Sequence, residues 1–105
     1  MKSLIIIDIQ NDFMEGGSLA VDHSYPIISV INRIQDKFAL QVATQDWHPP
    51  NHTSFASNHT GKKPFEKIQW HGTEQILWPD HCVQGTWGAE FHPELQTQAI
   101  ETIFR

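Results

Sequence analysis

Three places in the chain hold groups that can move a proton or bind a cation. Asp8 follows directly on Ser3-Leu4-Ile5-Ile6-Ile7, Asp46-Trp47-His48 follows Phe38 to Thr44 (FALQVAT), and Trp78-Pro79-Asp80-His81-Cys82 forms a third dense patch. A carboxylate at Asp8 can serve as a general base or orient charge in a cleft. The plainer alternative is a loop aspartate that caps the next turn. In extended backbone, residues two apart project to the same side. Asp46 and His48 can therefore offer a carboxylate oxygen and an imidazole nitrogen to one ion. His52, His59, His71 and His81 supply further imidazoles. A catalytic divalent site takes about three protein ligands and keeps positions open for water. A carboxylate and imidazole set suits zinc, iron or manganese. The competing reading is a surface loop that is simply rich in histidine.

Cys82 beside His81 invites a thiolate–imidazole pair, but sequence neighbours seldom present a base to the adjacent nucleophile. A small buried hydrophobe is the simpler role. One cysteine cannot supply the paired ligands of a zinc finger. Phe13, Trp70, Trp78 and Trp87 fit a core, the usual place for such rings. Phe13 and Trp78 also lie in the loops that carry Asp8 and His81, where a flat aromatic ligand can stack.

The elements that must position these groups follow from pattern. Ser3 to Asp8 is an unbroken β-branched run, which predicts a central parallel strand covered on both faces. Gln10 to Val21 reads as a loop. Ser24 is a candidate helix cap, with Pro26 in the first turn. Ile27, Ile28, Ile31 and Ile34 form one apolar helical face, and Phe38 to Thr44 is a second strand. That order is a βαβ unit, so the fold class is α/β with a parallel sheet. In open α/β sheets ligands bind beyond the carboxyl ends of the strands, where Asp8 and Asp46 both fall. Gln45 to Glu90 shows no sustained period and predicts a long functional loop. Pro93 to Ile100 suggests a short helix, and Thr102 to Phe104 opens a third strand.

Composition narrows the classes. The 105 residues are 39% hydrophobic and 18% charged, which fits one folded domain. Seven Lys and Arg against twelve Asp and Glu give a net charge of −5, the wrong sign for a nucleic-acid reader. The longest apolar run, Leu4 to Ile7, is far short of a membrane span. A single cysteine fits a reducing, cytoplasmic setting. Two or three strands make a poor sheet alone, and an open edge strand favours association with a second copy or a complementing chain.

Three segments together, DIQNDFMEGGSLAV from Asp8, TQDWHPPNHTSF from Thr44 and ILWPDHCVQGTWGAEFHPEL from Ile76, resemble the nicotinamidase/pyrazinamidase family of isochorismatase-like hydrolases. The resemblance runs over residues 1–105 and corresponds to the N-terminal part of one such domain. It implies a three-layer, Rossmann-like parallel-sheet fold and hydrolysis of nicotinamide, with pyrazinamide as a second substrate, in pyridine nucleotide salvage. By the same resemblance, Asp8 matches the catalytic aspartate. Asp46, His48 and His81 match the ligands of one divalent metal, zinc first, with iron or manganese as alternatives. Phe13 and Trp78 match rings that sandwich the pyridine. His52 lies near a further family ligand, but its spacing from His48 differs and it is left out.

The family's nucleophilic cysteine and its supporting lysine have no match here, so the 105 residues alone are expected to be inactive. Two other readings stand beside this one. One is an isochorismatase-like hydrolase of another substrate. The other is a non-catalytic metal-binding or interaction fragment.

Overall fold

Backbone made from β-branched and alternating apolar residues gives the chain its frame. A computed structural model describes residues 1–105. Its elements are β1 (Ser3–Ile7), α1 (Pro26–Ile34), β2 (Leu40–Thr44), β3 (Lys67–Trp70), β4 (Thr73–Ile76) and β5 (Thr102–Phe104), with single 3-10 turns between them. β1 and β2 pair in parallel, from Ser3 beside Leu40 to Ile7 beside Thr44. β5 joins the other side of β2, also parallel, giving the order β1-β2-β5. The parallel α/β sheet and the strand opening at Thr102 are as expected. Within residues 1–105 β1 pairs with β2 alone and lies on the outside of the three strands.

α1 lays Ile28 and Ile31 on one face of this sheet, where they meet Ile6, Ile9, Met14, Ala43 and Leu95. Burying a side chain of this size stabilises by about 1.5–3 kcal/mol. Ile27 is exposed, since it adjoins buried Ile28 and adjacent helical positions cannot face the same way, and Ile34, the last residue of α1, is half-buried. The other sheet face carries no helix within these residues. Ile5 and Ile7 are 59% and 64% exposed there, so the expected cover on both faces of β1 is not seen.

Three local expectations also change. Ser24 does not cap α1, because its hydroxyl donates to the Phe13 carbonyl. Pro93 to Ile100 forms turns, not a helix. Side chains of the helical layer take its backbone groups instead: Asn32 bonds the Glu94 carbonyl and Gln96 N–H, and Gln35 bonds the Gln96 carbonyl. The long Gln45 to Glu90 segment hides an antiparallel hairpin, β3 with β4. Its two-residue turn, His71-Gly72, has positive φ at both positions, as a primed hairpin turn requires. No helix is long and apolar enough to cross a membrane.

Candidate metal centre

The carboxyl ends of β1 and β2 lie side by side, and each releases an aspartate. Asp8 leaves β1 at φ 54, a left-handed conformation that Asp tolerates better than most residues. Its backbone N–H is 3.2 Å from both the carbonyl and the hydroxyl oxygen of Thr44, and the Thr44 hydroxyl donates to Asp8 Oδ1 at 2.6 Å. The acid is thus fixed at the strand tip by the last residue of β2.

Two short parallel bridges, His48 with Val83 and Phe55 with Trp78, zip the segment after β2 to the segment carrying His81. The zipper brings one oxygen or nitrogen of Asp46, His48 and His81 to within 4.8 Å of one another. His48 Nε2 is 3.3 Å from Asp46 Oδ1, and His81 Nε2 is 3.4 Å from Asp46 Oδ2. The opposite ring nitrogens are already engaged. His48 Nδ1 meets the His81 carbonyl at 3.1 Å and His81 Nδ1 meets the Pro79 carbonyl at 2.8 Å. A carbonyl only accepts, so both Nδ1 atoms carry a proton, and in that neutral tautomer each Nε2 presents its lone pair.

In that tautomer, lone pairs of two imidazoles and a carboxylate face one another. Without a proton or a cation between them they repel. Donors about 2.0–2.1 Å from a tetrahedral zinc stand roughly 3.3 Å apart, which the two Asp46–histidine distances match, each through a different carboxylate oxygen. Carbonyl partners on the outer ring nitrogens are also the usual way of orienting metal-binding histidines.

The remaining imidazoles do not join this set. His52 packs edge-on to His48, with ring centroids 4.8 Å apart. Its Nδ1 accepts from the Ser54 N–H and hydroxyl, which places the proton of the neutral ring on Nε2. His59 bonds the Thr53 carbonyl through Nε2, and His71 sits in the β3–β4 turn against Trp70. Trp70 and Trp87 are exposed rather than core. Phe13 lies beside His81, ring centroids 5.8 Å apart, whereas Trp78 meets Phe65 edge-on.

Cys82 is fully buried, and its thiol is pushed up to about 12, first by burial and then by the negative charges of Asp46, Asp12 and Asp8. It stays protonated at neutral pH and is no nucleophile.

Two further residues shape the site and carry little in the sequence that marks them. Gln10, buried completely, accepts the Asp46 N–H at 2.9 Å and donates to the carbonyls of Asp46 and Ala89 at 2.8 and 2.9 Å. Buried Asp12 accepts the Cys82 N–H at 2.8 Å and the Ser18 N–H at 3.2 Å. Their only signal in the sequence is a Gln-Asn-Asp run that begins three residues past the end of an apolar strand.

A model of the isochorismatase domain matches residues 2–105 of this chain. The chain belongs to the isochorismatase family. Among its relatives, the nicotinamidase of Acinetobacter baylyi is 52% identical over 103 residues, which are 98% of this chain and 48% of that protein. Among solved structures, the yeast nicotinamidase bound to the inhibitor nicotinaldehyde superposes with a TM-score of 0.88 at 35% identity, over 100% of this chain and 56% of the other. The pyrazinamidase of Pyrococcus horikoshii in complex with zinc gives 0.67 at 41% identity, over 96% and 49%. The chain spans about half the length of the curated relatives it matches.

Proposed function

We propose that the chain supplies the cation site and the proton-transferring acid of a nicotinamidase, which hydrolyses nicotinamide to nicotinate and ammonia and accepts pyrazinamide as well. The observation that carries this reading is the convergence of Asp46, His48 and His81 within 4.8 Å at the sheet edge that also presents Asp8. The relatives named as nicotinamidases, and the zinc and nicotinaldehyde found with two similar structures, support it.

An amide is a poor electrophile, so its hydrolysis needs a strong nucleophile and orientation. Asp46, His48 and His81 would hold one divalent ion, zinc in the first instance. Bound there, zinc supplies a Lewis-acid anchor for a heteroaromatic nitrogen or a water. Phe13 and Trp78 flank the ring and exclude water from its faces. Asp8 takes the proton of the attacking thiol and returns it to the departing ammonia. The sulfur–carbon bond forms as the carbon–nitrogen bond breaks, and water then releases nicotinate from the thioester. Because Cys82 is buried and protonated, the reading assigns the attack to a thiol outside residues 1–105, and these residues alone turn over little or no nicotinamide.

Ammonia release from nicotinamide tests the reading. Zinc-dependent turnover in the complete enzyme that collapses in Asp8→Asn supports it. Turnover that persists in metal-stripped protein, or in Asp8→Asn, refutes it.

A further inference from the structure

The His81–Cys82 peptide is hydrogen-bonded at both ends by groups from opposite sides of the site. Its N–H, on Cys82, donates to Asp12 Oδ2 at 2.8 Å. Its carbonyl, on His81, accepts the His48 Nδ1 proton at 3.1 Å. Asp12 is buried, with no cation among its partners, and Gly88 packs directly on its carboxylate. The peptide unit bends at Cys82, whose φ of 48 lies in the left-handed region. The carboxylate bond on its N–H lies just where that bend occurs.

A carboxylate that accepts from a peptide N–H polarises the whole amide and strengthens its carbonyl as an acceptor. A stronger acceptor on Nδ1 makes the far nitrogen of an imidazole a better donor to a metal, the effect that carboxylate partners have on metal-binding histidines. We infer that Asp12 is a positioning residue of the candidate metal centre, acting on His48 through the intervening His81–Cys82 peptide. The relay couples the turn that follows Asp8 to both histidine-bearing segments, although Asp12 touches neither ring. This inference rests on the Asp46–His48–His81 reading of the site.

The test compares the wild-type protein, Asp12→Asn and Ile31→Val by two measurements. One is the zinc dissociation constant from competition with a chromophoric chelator. The other is the nitrogen and proton resonances of the His48 ring and the Cys82 amide in the zinc-free protein. Asp12→Asn keeps the shape but removes the charge and sets an amide donor against one of two N–H groups. Ile31→Val lowers stability in the core away from the site.

The expected result is a roughly 10- to 100-fold weaker zinc affinity for Asp12→Asn. The Cys82 amide and His48 Nδ1 protons should also move upfield, while Ile31→Val changes neither. Wild-type zinc affinity in Asp12→Asn, or a loss no greater than that of Ile31→Val, overturns the relay. If Asp12→Asn does not fold, the wild-type ring decides. A proton on His48 Nδ1 supports the relay, and one on Nε2 overturns it. Failure of the wild type to bind zinc would refute the metal reading itself, and the ring and amide resonances would still judge the relay.

Discussion

Thr44 holds Asp8 in place across the β1–β2 pair, with its hydroxyl donating to Asp8 Oδ1 at 2.6 Å while the Asp8 N–H points back at Thr44. The last residue of one strand thus sets the carboxylate at the tip of the next, and the acid's orientation is a property of strand register. In parallel pairing Ile7 sits beside Thr44, which leaves Asp8 one step beyond the ladder.

Asp8→Asn should leave the fold and zinc binding intact, because asparagine also tolerates the left-handed backbone and can accept the Thr44 hydroxyl. It cannot transfer a proton. Ammonia release by the complete enzyme should fall by roughly 10²–10⁴-fold, the usual range for losing a general acid–base. Steady-state kinetics beside a zinc titration would check both halves, and loss of zinc binding would count against the assigned division of labour.

His81→Ala and His48→Ala each remove one candidate ligand and leave one carbonyl without its ring partner, that of Pro79 for the first and of His81 for the second. Both should bind zinc at least about 10-fold more weakly than the wild type and lose about 1 kcal/mol of stability for the unpaired carbonyl. Metal analysis after dialysis, paired with urea unfolding, reads the two effects separately.

Gly88→Ala and Gly61→Ala probe different constraints. A Cβ at Gly88 would fall on the Asp12 carboxylate, whereas one at Gly61 meets open space but sits at φ +75. Overpacking beneath the site should destabilise Gly88→Ala by about 1–3 kcal/mol. Gly61→Ala should cost about 1 kcal/mol, from backbone strain alone. Thermal unfolding ranks them, and only Gly88→Ala should also weaken zinc binding.

Cys82 gives stability a dependence on alkaline pH. Its thiol rises from an ordinary 9.0 to about 12 on folding, chiefly through burial. Below pH 9 the thiol is protonated in both states and its contribution is fully present. Between pH 9 and 12 the unfolded chain releases this proton first, so stability falls across that window. Cys82→Ala should flatten the fall seen in denaturant unfolding at pH 8 and pH 10. Native Cys82 should also resist iodoacetamide at pH 8 until the protein is unfolded.

How far the sequence reaches is clearest at β1 and at the histidines. The apolar run Ser3 to Ile7 marks a parallel strand because burial demands continuous apolar side chains. It does not say whether β1 lies at the centre or the edge, since that depends on pairing with distant segments. The β3–β4 hairpin carries no turn signal in the sequence because its turn uses His71 at a positive φ, where Asn or Asp is the readable signal. The helix expected over Pro93 to Ile100 is replaced by turns because Asn32 and Gln35, some sixty residues away, claim its backbone groups.

Residue type and local spacing alone determined the parallel α/β class, the acid at the end of the first strand and the Asp46–His48 pair, since each depends on side-chain period or on neighbours within a few bonds. Tertiary structure decided which of the five imidazoles from His48 to His81 share one locus, because ring orientation is fixed by carbonyls brought in from elsewhere in the chain. It also decided the parts of Gln10, Asp12 and Thr44, whose long-range hydrogen bonds span 36 to 79 residues. Buried polar groups must find partners wherever the fold places them, and that search leaves no periodic trace in a sequence.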